Sequence, residues 1–463
     1  MARVAVFNME IVGTVNPVLP VVAELVKQGC DVRYYLSKDT FAKDVADLGA
    51  NVYKFDDFFP RWAELLESKE EAAWLSAHYP EGVPEPSASG VPMRMLYYSL
   101  PAGVCLGRRL LETWSSWRPE IVLYNCMLLH PYLAARKLGI PTCSFSTYPG
   151  PGTPMHLYAL KPQEREAFDQ SLAQSPGLRP ANEIAKEFFG VDVFESQLLC
   201  RFFSPDRNLV FSIPELQGVV EKHQEKRLVS SSFRWVGSTD PELSGREPRV
   251  AADPEAGDEP WLVPAGVKVI VVSLGSMTVD SRWEAPEHVS STGFVTGRQF
   301  SQRLWSELIE FFGHRSDVRV ILAVGPKEEA VEMLGELPPN VVARRYLDQV
   351  AALSHAHVFV THGGFNSIKE GILLAVPMVV VPFCVDQPTN GEAIERQKAG
   401  LCFPDLLATP RGELTAAVER SFCEEFRRRS GELGEALRAA GGAPAAAEAC
   451  LSLLSERASA GGA

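Results

Sequence analysis

The sequence predicts an α/β protein with two doubly wound parallel sheets. Short apolar runs alternate with amphipathic helices, the pattern that builds parallel sheets covered on both faces. That rhythm stops at an acidic, Pro- and Gly-rich stretch near the middle of the chain and then restarts. In the second half, residues 361–387 join two apolar strands through a His-Gly-Gly turn and a helix.

The elements follow in order. Val4 to Phe7 is a first strand, leading into the turn Gly13-Thr14-Val15-Asn16-Pro17. A helix from about Pro17 to Gln28 carries Val18, Val21, Val22, Leu25 and Val26 at helical spacing and stops at Gly29. Val32 to Leu36 is a strand and Phe41 to Leu48 a helix. Pro119 to Tyr124 is a strand, His130 to Leu138 a helix ended by Gly139, and Pro141 to Phe145 a strand. Insertions at roughly 56–95 and 148–205 break the rhythm, and their aromatic content suits the walls of an apolar pocket. The stretch 241–264 has no apolar periodicity and reads as a linker. Beyond it come Lys268 to Leu274, a helix around Phe300 to Phe312, Val318 to Val324, Val341 to Tyr346, Val358 to Val360, a helix from near Asn366, and Met378 to Pro382. The expected division is 1–240, linker 241–264, 265–440, and an Ala/Gly-rich tail 441–463.

Composition narrows the class. A chain of 463 residues, 46% hydrophobic and 22% charged, can bury substantial cores and is not expected to be disordered. A net charge of −13 argues against nucleic acid, which needs a basic footprint. The nine cysteines are scattered without a Cys-x-x-Cys pair, as in reduced core thiols, and no metal site is expected. His355, His357 and His362 fall on a helix end, a strand start and a loop, a poor basis for one ion. Arg427, Arg428 and Arg429 read as a solvated helix face. No signal-peptide core and no apolar run long enough to span a bilayer is visible, so the expected location is cytoplasmic. The absence of Gly-x-Gly-x-x-Gly after the first strand counts against a dinucleotide-binding oxidoreductase.

The run 361–387 carries the most chemistry. A helix N-terminus presents backbone N–H groups to anions, and Gly363 and Gly364 let a phosphate approach the backbone. One turn on, Glu370 shares a face with Asn366 and Ser367, where a carboxylate can accept from ribose hydroxyls. Asp386 and Gln387 follow the second strand with side chains suited to sugar hydroxyls.

This segment resembles the donor-binding signature of the UDP-glycosyltransferases, of the GT-B superfamily (glycosyltransferase family 1, macrolide and secondary-metabolite type). His-Gly-Gly-x-Asn-Ser, a Glu, Val-Pro and Asp-Gln recur here in the family's order. The resemblance implies two Rossmann-like domains facing across a cleft, the first binding the acceptor and the second the nucleotide sugar. It implies that His362 touches the diphosphate, that Gly364, Asn366 and Ser367 hold the phosphates, that Glu370 binds the ribose, and that Asp386 and Gln387 bind the hexose. Gly275 and Ser276, in Ser-Leu-Gly-Ser after a strand, are similar to the family loop facing the diphosphate from the other side. Arg345-Tyr346-Leu347-Asp348-Gln349 stands where relatives place Trp-x-Pro-Gln. Tyr346 would stack on uracil, the Leu347 backbone would read its edge, and Gln349 keeps the family's Gln. Asp348 replaces the usual Pro, a change expected to loosen the loop.

The first half departs from the family. Relatives read Gly-His-x-x-Pro after the first strand, with that His as general base and an Asp orienting it; here the two positions are Thr14 and Asn125. Neither has useful proton affinity near neutral pH. Glu10 and His130 are candidate replacement bases, and an already nucleophilic acceptor would need none. The expected function is inverting transfer of a hexose, glucose by family analogy, from a UDP-sugar as donor substrate to a small lipophilic acceptor, without a cofactor. The alternative is a catalytically silent nucleotide-sugar-binding or auxiliary protein.

Overall fold

The structure is a computed structural model that describes residues 1–55, 91–150, 178–194, 203–218, 232–239, 259–289, 293–384 and 386–460. The chain forms two compact units: Met1–Ile213, Val219–Asp240 and Ala440–Ala463 make the first, Pro214–Gly218 and Pro241–Ala439 the second. Most of each insertion (56–90, 151–177 and 195–202), and residues 240–258 spanning most of the linker, lie outside the described residues.

In the first unit the described strands are β1 (Arg3–Phe7), β2 (Asp31–Leu36), β3 (Asn51–Lys54), β4 (Ile121–Asn125), β5 (Thr142–Ser146), β6 (Arg207–Val210) and β7 (Phe233–Trp235). They pair in the order β3-β2-β1-β4-β5-β6-β7, every pairing parallel. Alternation along β1 sends Val4 and Val6 to one apolar face and Ala5 and Phe7 to the other. The first face is covered by the helix Leu19–Lys27, the second by helices Val91–Thr113 and Leu129–Leu138.

The second unit holds β8 (Lys268–Ser273), β9 (Pro286–Val289), β10 (Gly293–Thr296), β11 (Val318–Ala323), β12 (Val341–Arg344), β13 (Val358–Thr361), β14 (Met378–Val380) and β15 (Gly400–Cys402). Its parallel sheet runs β12-β11-β8-β13-β14-β15, and β9 and β10 form a separate antiparallel hairpin. Phe300, Leu304 and Leu308 of the helix Gly297–Phe312 pack over Ile270 and Val272. Both sheets reverse direction of growth beside their first strand, between β1 and β4 and between β8 and β13. Ligands of open α/β sheets bind outside the carboxyl ends of the strands at such switch points.

Three expectations need correction. Residues 441–463 do not stand apart as a tail: Gly442–Ala460 is a helix whose Ala443, Ala446, Ala447 and Cys450 are buried against the first sheet. Small side chains let it approach closely, and Arg207 pairs with Glu456 at 2.6 Å. Arg427 is not on a solvated face, since its guanidinium donates to the carbonyls of Ala375 (3.3 Å) and Ala356 (3.1 Å), just past the ends of two helices. The segment Gly13 to Pro17 is not a simple turn, because Val12–Val15 closes one helical turn. Among the described residues no helix is long and apolar enough to cross a membrane.

Candidate active site

At the switch point of the second unit, β8 ends in Ser273-Leu274-Gly275 and β13 in Thr361-His362-Gly363. The two loops close on the imidazole of His362. A Cβ on Gly275, whose φ is +68°, would lie 2.5 Å from the ring's Nε2, and one on Gly364 would also overlap Nε2. Only glycine fits on either side, so the backbones of both loops lie against the ring. Burial lowers the His362 pKa to about 4, although a hydrogen bond from the ring to the Ser273 carbonyl pulls the other way. The ring is therefore neutral at pH 7. His357, at the opposite end of β13, instead accepts from the Val269 N–H at 3.1 Å, so the histidines of this stretch do separate work.

Gly364 caps the helix Phe365–Leu373, which begins directly beyond the His362 ring and carries Asn366, Ser367 and Glu370 in its first two turns. The Gln349 amide donates to the Ser367 hydroxyl (3.2 Å) and to a Glu370 carboxylate oxygen (2.5 Å), so those three residues converge. Nearby in sequence, Tyr346 is 43% exposed and Leu347 half-buried. Asp348 does not loosen this loop. It caps the helix Gln349–Ser354 by accepting from the Ala351 N–H at 2.9 Å, replacing the rigidity of a Pro with a cap. Ser276 is exposed at the start of a π-turn, Met277–Ser281.

Past β14, Asp386 and Gln387 open the helix Gln387–Arg396. Gln387 departs from expectation. Its carboxamide oxygen accepts from the Phe383 and Cys384 N–H groups at 2.8 and 2.9 Å, and its amide donates to the Cys384 sulfur at 3.5 Å. The side chain folds back on its own loop, where its oxygen meets the two backbone donors that follow β14. Asn390, which the sequence reading passed over, bonds both Asp386 and the Gly363 carbonyl at 2.8 Å. Its spacing of one helical turn from Asp386 was the available signal.

At the switch point of the first unit the polar groups bond one another. Thr14 Oγ1 donates to the Met9 and Ile11 carbonyls (2.6 and 2.9 Å). Asn8, also missed in the sequence, joins the rest: its amide donates to the Thr14 carbonyl (2.8 Å) and the Tyr34 hydroxyl (3.2 Å), and its oxygen accepts from Asn125 Nδ2 (3.0 Å). Asn125 Oδ1 accepts from the Met127 N–H at 3.0 Å. Thr14 and Asn125 are thus brought together, with one residue between them. Glu10 faces elsewhere, its carboxylate accepting from the Ser37 hydroxyl (2.8 Å) and the Ser37 and Lys38 backbone N–H groups. His130 is 2% exposed between the rings of Phe7 and Phe55, and burial lowers its pKa to about 3. A His130 so buried is not a strong base near pH 7, and the Glu10 carboxylate is engaged by the Ser37–Lys38 backbone.

Comparison with known proteins bears on the fold and the family. Residues 327–427 match the model of the UDP-glucoronosyl and UDP-glucosyl transferase family. An uncharacterized UDP-glucosyltransferase, YojK, of Bacillus subtilis is 23% identical over 99% of this chain and 98% of its own. The oleandomycin glycosyltransferase of Streptomyces antibioticus is 26% identical over 90% of this chain and 82% of its own. Among solved structures, the glycotransferase of kitacinnamycin superposes with a TM-score of 0.69 at 25% identity, covering 98% of this chain and 99% of that one. The calicheamicin glycosyltransferase CalG4 superposes with a TM-score of 0.63 at 20% identity, covering 98% of each. With the family match in the second unit and similarity to glycosyltransferases along nearly the whole chain, these findings support a UDP-glycosyltransferase of the GT-B fold that transfers a sugar from a nucleotide sugar.

Proposed function

We propose that the protein is an inverting hexosyltransferase that moves glucose from UDP-glucose to a small lipophilic acceptor. The observation that carries the donor side is the neutral His362 ring held between Gly275 and Gly364 at the head of the helix Phe365–Leu373. A diphosphate placed there meets helix N–H groups and an imidazole, which stabilise the charge that develops as the nucleotide leaves. The exposed Tyr346 ring is a stacking surface for uracil, and Glu370, oriented by Gln349, is the ribose acceptor. Asp386 serves the hexose hydroxyls, with Gln387 acting through the shape of its loop.

On the acceptor side, Thr14 and Asn125 occupy the positions of the family's base and orienting acid. Their neutral network with Asn8 supplies no proton acceptor, and the acceptor's own acidity makes up part of the difference. Loss of general-base help is worth about 10²–10⁴-fold, which slows transfer without removing the donor-side terms. The same network favours a second reading, a donor-binding protein that does not turn over.

Incubation with UDP-glucose and a panel of phenols, carboxylic acids and alcohols separates the two. Transfer gives UDP and a product heavier by one hexose. UDP-glucose binding without UDP release, with every acceptor, would establish the silent binder. Absence of binding would remove the donor assignment.

A further inference from the structure

Asn390 lies on the helix Gln387–Arg396, 2% exposed, one turn from Asp386. Its amide nitrogen has two protons, and both are used within the second unit: one reaches the Gly363 carbonyl, the other Asp386 Oδ2, each at 2.8 Å. Its carbonyl oxygen is buried and has no partner among the described residues. A buried acceptor left unmet is a standing cost, so this side chain is oriented for its amide side at the expense of its oxygen.

Gly363 stands between His362 and Gly364, with φ +86° and Val380 Cγ1 at 2.6 Å from where a Cβ would be. Its carbonyl and the Gly364 N–H belong to one planar peptide and point to opposite sides of it. Anchoring the carbonyl therefore sets the direction of the Gly364 N–H, at the cap of the signature helix. The second bond holds the Asp386 carboxylate in one orientation. One amide group thus ties the loop beside His362 to the carboxylate that opens the next helix.

We infer that Asn390 is a positioning residue for sugar transfer, locking the His362-Gly363-Gly364 loop and Asp386 into a single body so that diphosphate and hexose are held in fixed relation. The inference rests on the donor-site reading above. Its chemistry is orientation rather than contact, and misplacement of reacting groups by an ångström can cost a hundredfold in rate.

The test uses the full-length protein with Asn390→Leu and Asn390→Asp. Leucine is similar in volume and removes both donated bonds together with the unmet oxygen. It takes the amide donor away from the Gly363 carbonyl and Asp386, so it is expected to melt several degrees below the wild type, and kcat/KM for UDP-glucose to fall about tenfold to a hundredfold. UDP, which lacks the hexose, should lose less affinity than UDP-glucose. Aspartate keeps the shape but faces Asp386 with a second carboxylate. Its turnover should be lost at neutral pH and partly regained as the pH falls and the pair takes up a shared proton, restoring one donated bond. Should Asn390→Leu be recovered unfolded, Asn390→Asp carries the test through its pH profile. A folded variant with wild-type kinetics, or one altered in melting alone, would overturn the inference. A wild type that binds neither UDP nor UDP-glucose would overturn the donor-site reading, and is distinguishable because it needs no variant.

Discussion

At the carboxyl ends of β8 and β13 the chain places glycines around a histidine, and Gln349 converges with Ser367 and Glu370 on the helix that follows. At the carboxyl ends of β1 and β4, the equivalent switch point of the other sheet, Asn8 bonds the Thr14 carbonyl and the Asn125 amide, while the Thr14 hydroxyl bonds local backbone. Equivalent topology has been put to different use. The second unit keeps glycine backbone against a buried imidazole at the head of a helix. The first closes its corner with neutral amides and a hydroxyl. A switch point therefore gives only a place for chemistry, and the hydrogen-bond inventory decides whether proton transfer can happen there.

Substitutions can break this contrast, and the largest effect is expected at Gly364. In Gly364→Ala the added methyl meets the His362 ring, so ring or loop must shift, and that displacement is expected to lower UDP-glucose affinity roughly a hundredfold, about 2.8 kcal/mol of binding. Calorimetry with UDP-glucose checks this, and wild-type affinity in a folded variant would show that the ring is free to move aside. Next comes Glu370→Ala, which removes a charge-assisted bond worth about 1.5–3 kcal/mol and leaves Gln349 one partner short. Donor affinity should fall while circular dichroism stays native. Unchanged affinity would take Glu370 out of the site. Tyr346→Ala removes an exposed stacking surface worth about 0.5–1.5 kcal/mol, and UDP should feel it as strongly as UDP-glucose. A loss confined to the hexose-bearing donor would contradict the stacking assignment.

Acid sharpens the comparison from the stability side. His130 and His362 both have folded pKa values below the ordinary 6.5, about 3 and about 4, because burial penalises the charged ring. The unfolded chain binds more protons in that interval, so stability is intact above pH 6.5 and is lost as pH falls toward 4 for His362 and toward 3 for His130. His130→Phe, which keeps an aromatic ring between Phe7 and Phe55, should flatten the acid loss of the first unit alone. Thermal unfolding from pH 7 to pH 4 measures it. An unchanged pH slope would mean that His130 is not the sensitive group.

The sequence made much of this legible where periodicity was strong. β1, β2, β4, β5 and the second unit's β8, β11 and β13 are apolar runs bounded by turns, and all appear within a residue or two of expectation. β7 and β15, three residues each, are too short to show a period. The helix Val91–Thr113 contains Pro101, which reads as a breaker although the helix continues through it. For the site, His362, Gly364, Ser367 and Glu370 could be placed because a turn and a helix fix their spacing. Asn8, Asn390 and the inward turn of Gln387 could not be read, because each depends on bonds to groups distant in sequence or folded back on the same loop.

The pair Thr14→His and Asn125→Asp tests the account most directly. Asn8 bonds both the Thr14 backbone carbonyl and the Asn125 amide, so the two positions share one corner of the first sheet, and a histidine at 14 with a carboxylate at 125 is expected to act as a unit. UDP release from UDP-glucose with a phenol acceptor is measured for the wild type, both single variants and the double variant. The account predicts little gain from either single change and a non-additive rise in the double, since His lacks orientation without its carboxylate and Asp has nothing to orient without its His. A folded double variant that turns over no faster than the wild type with any hydroxyl acceptor would contradict it.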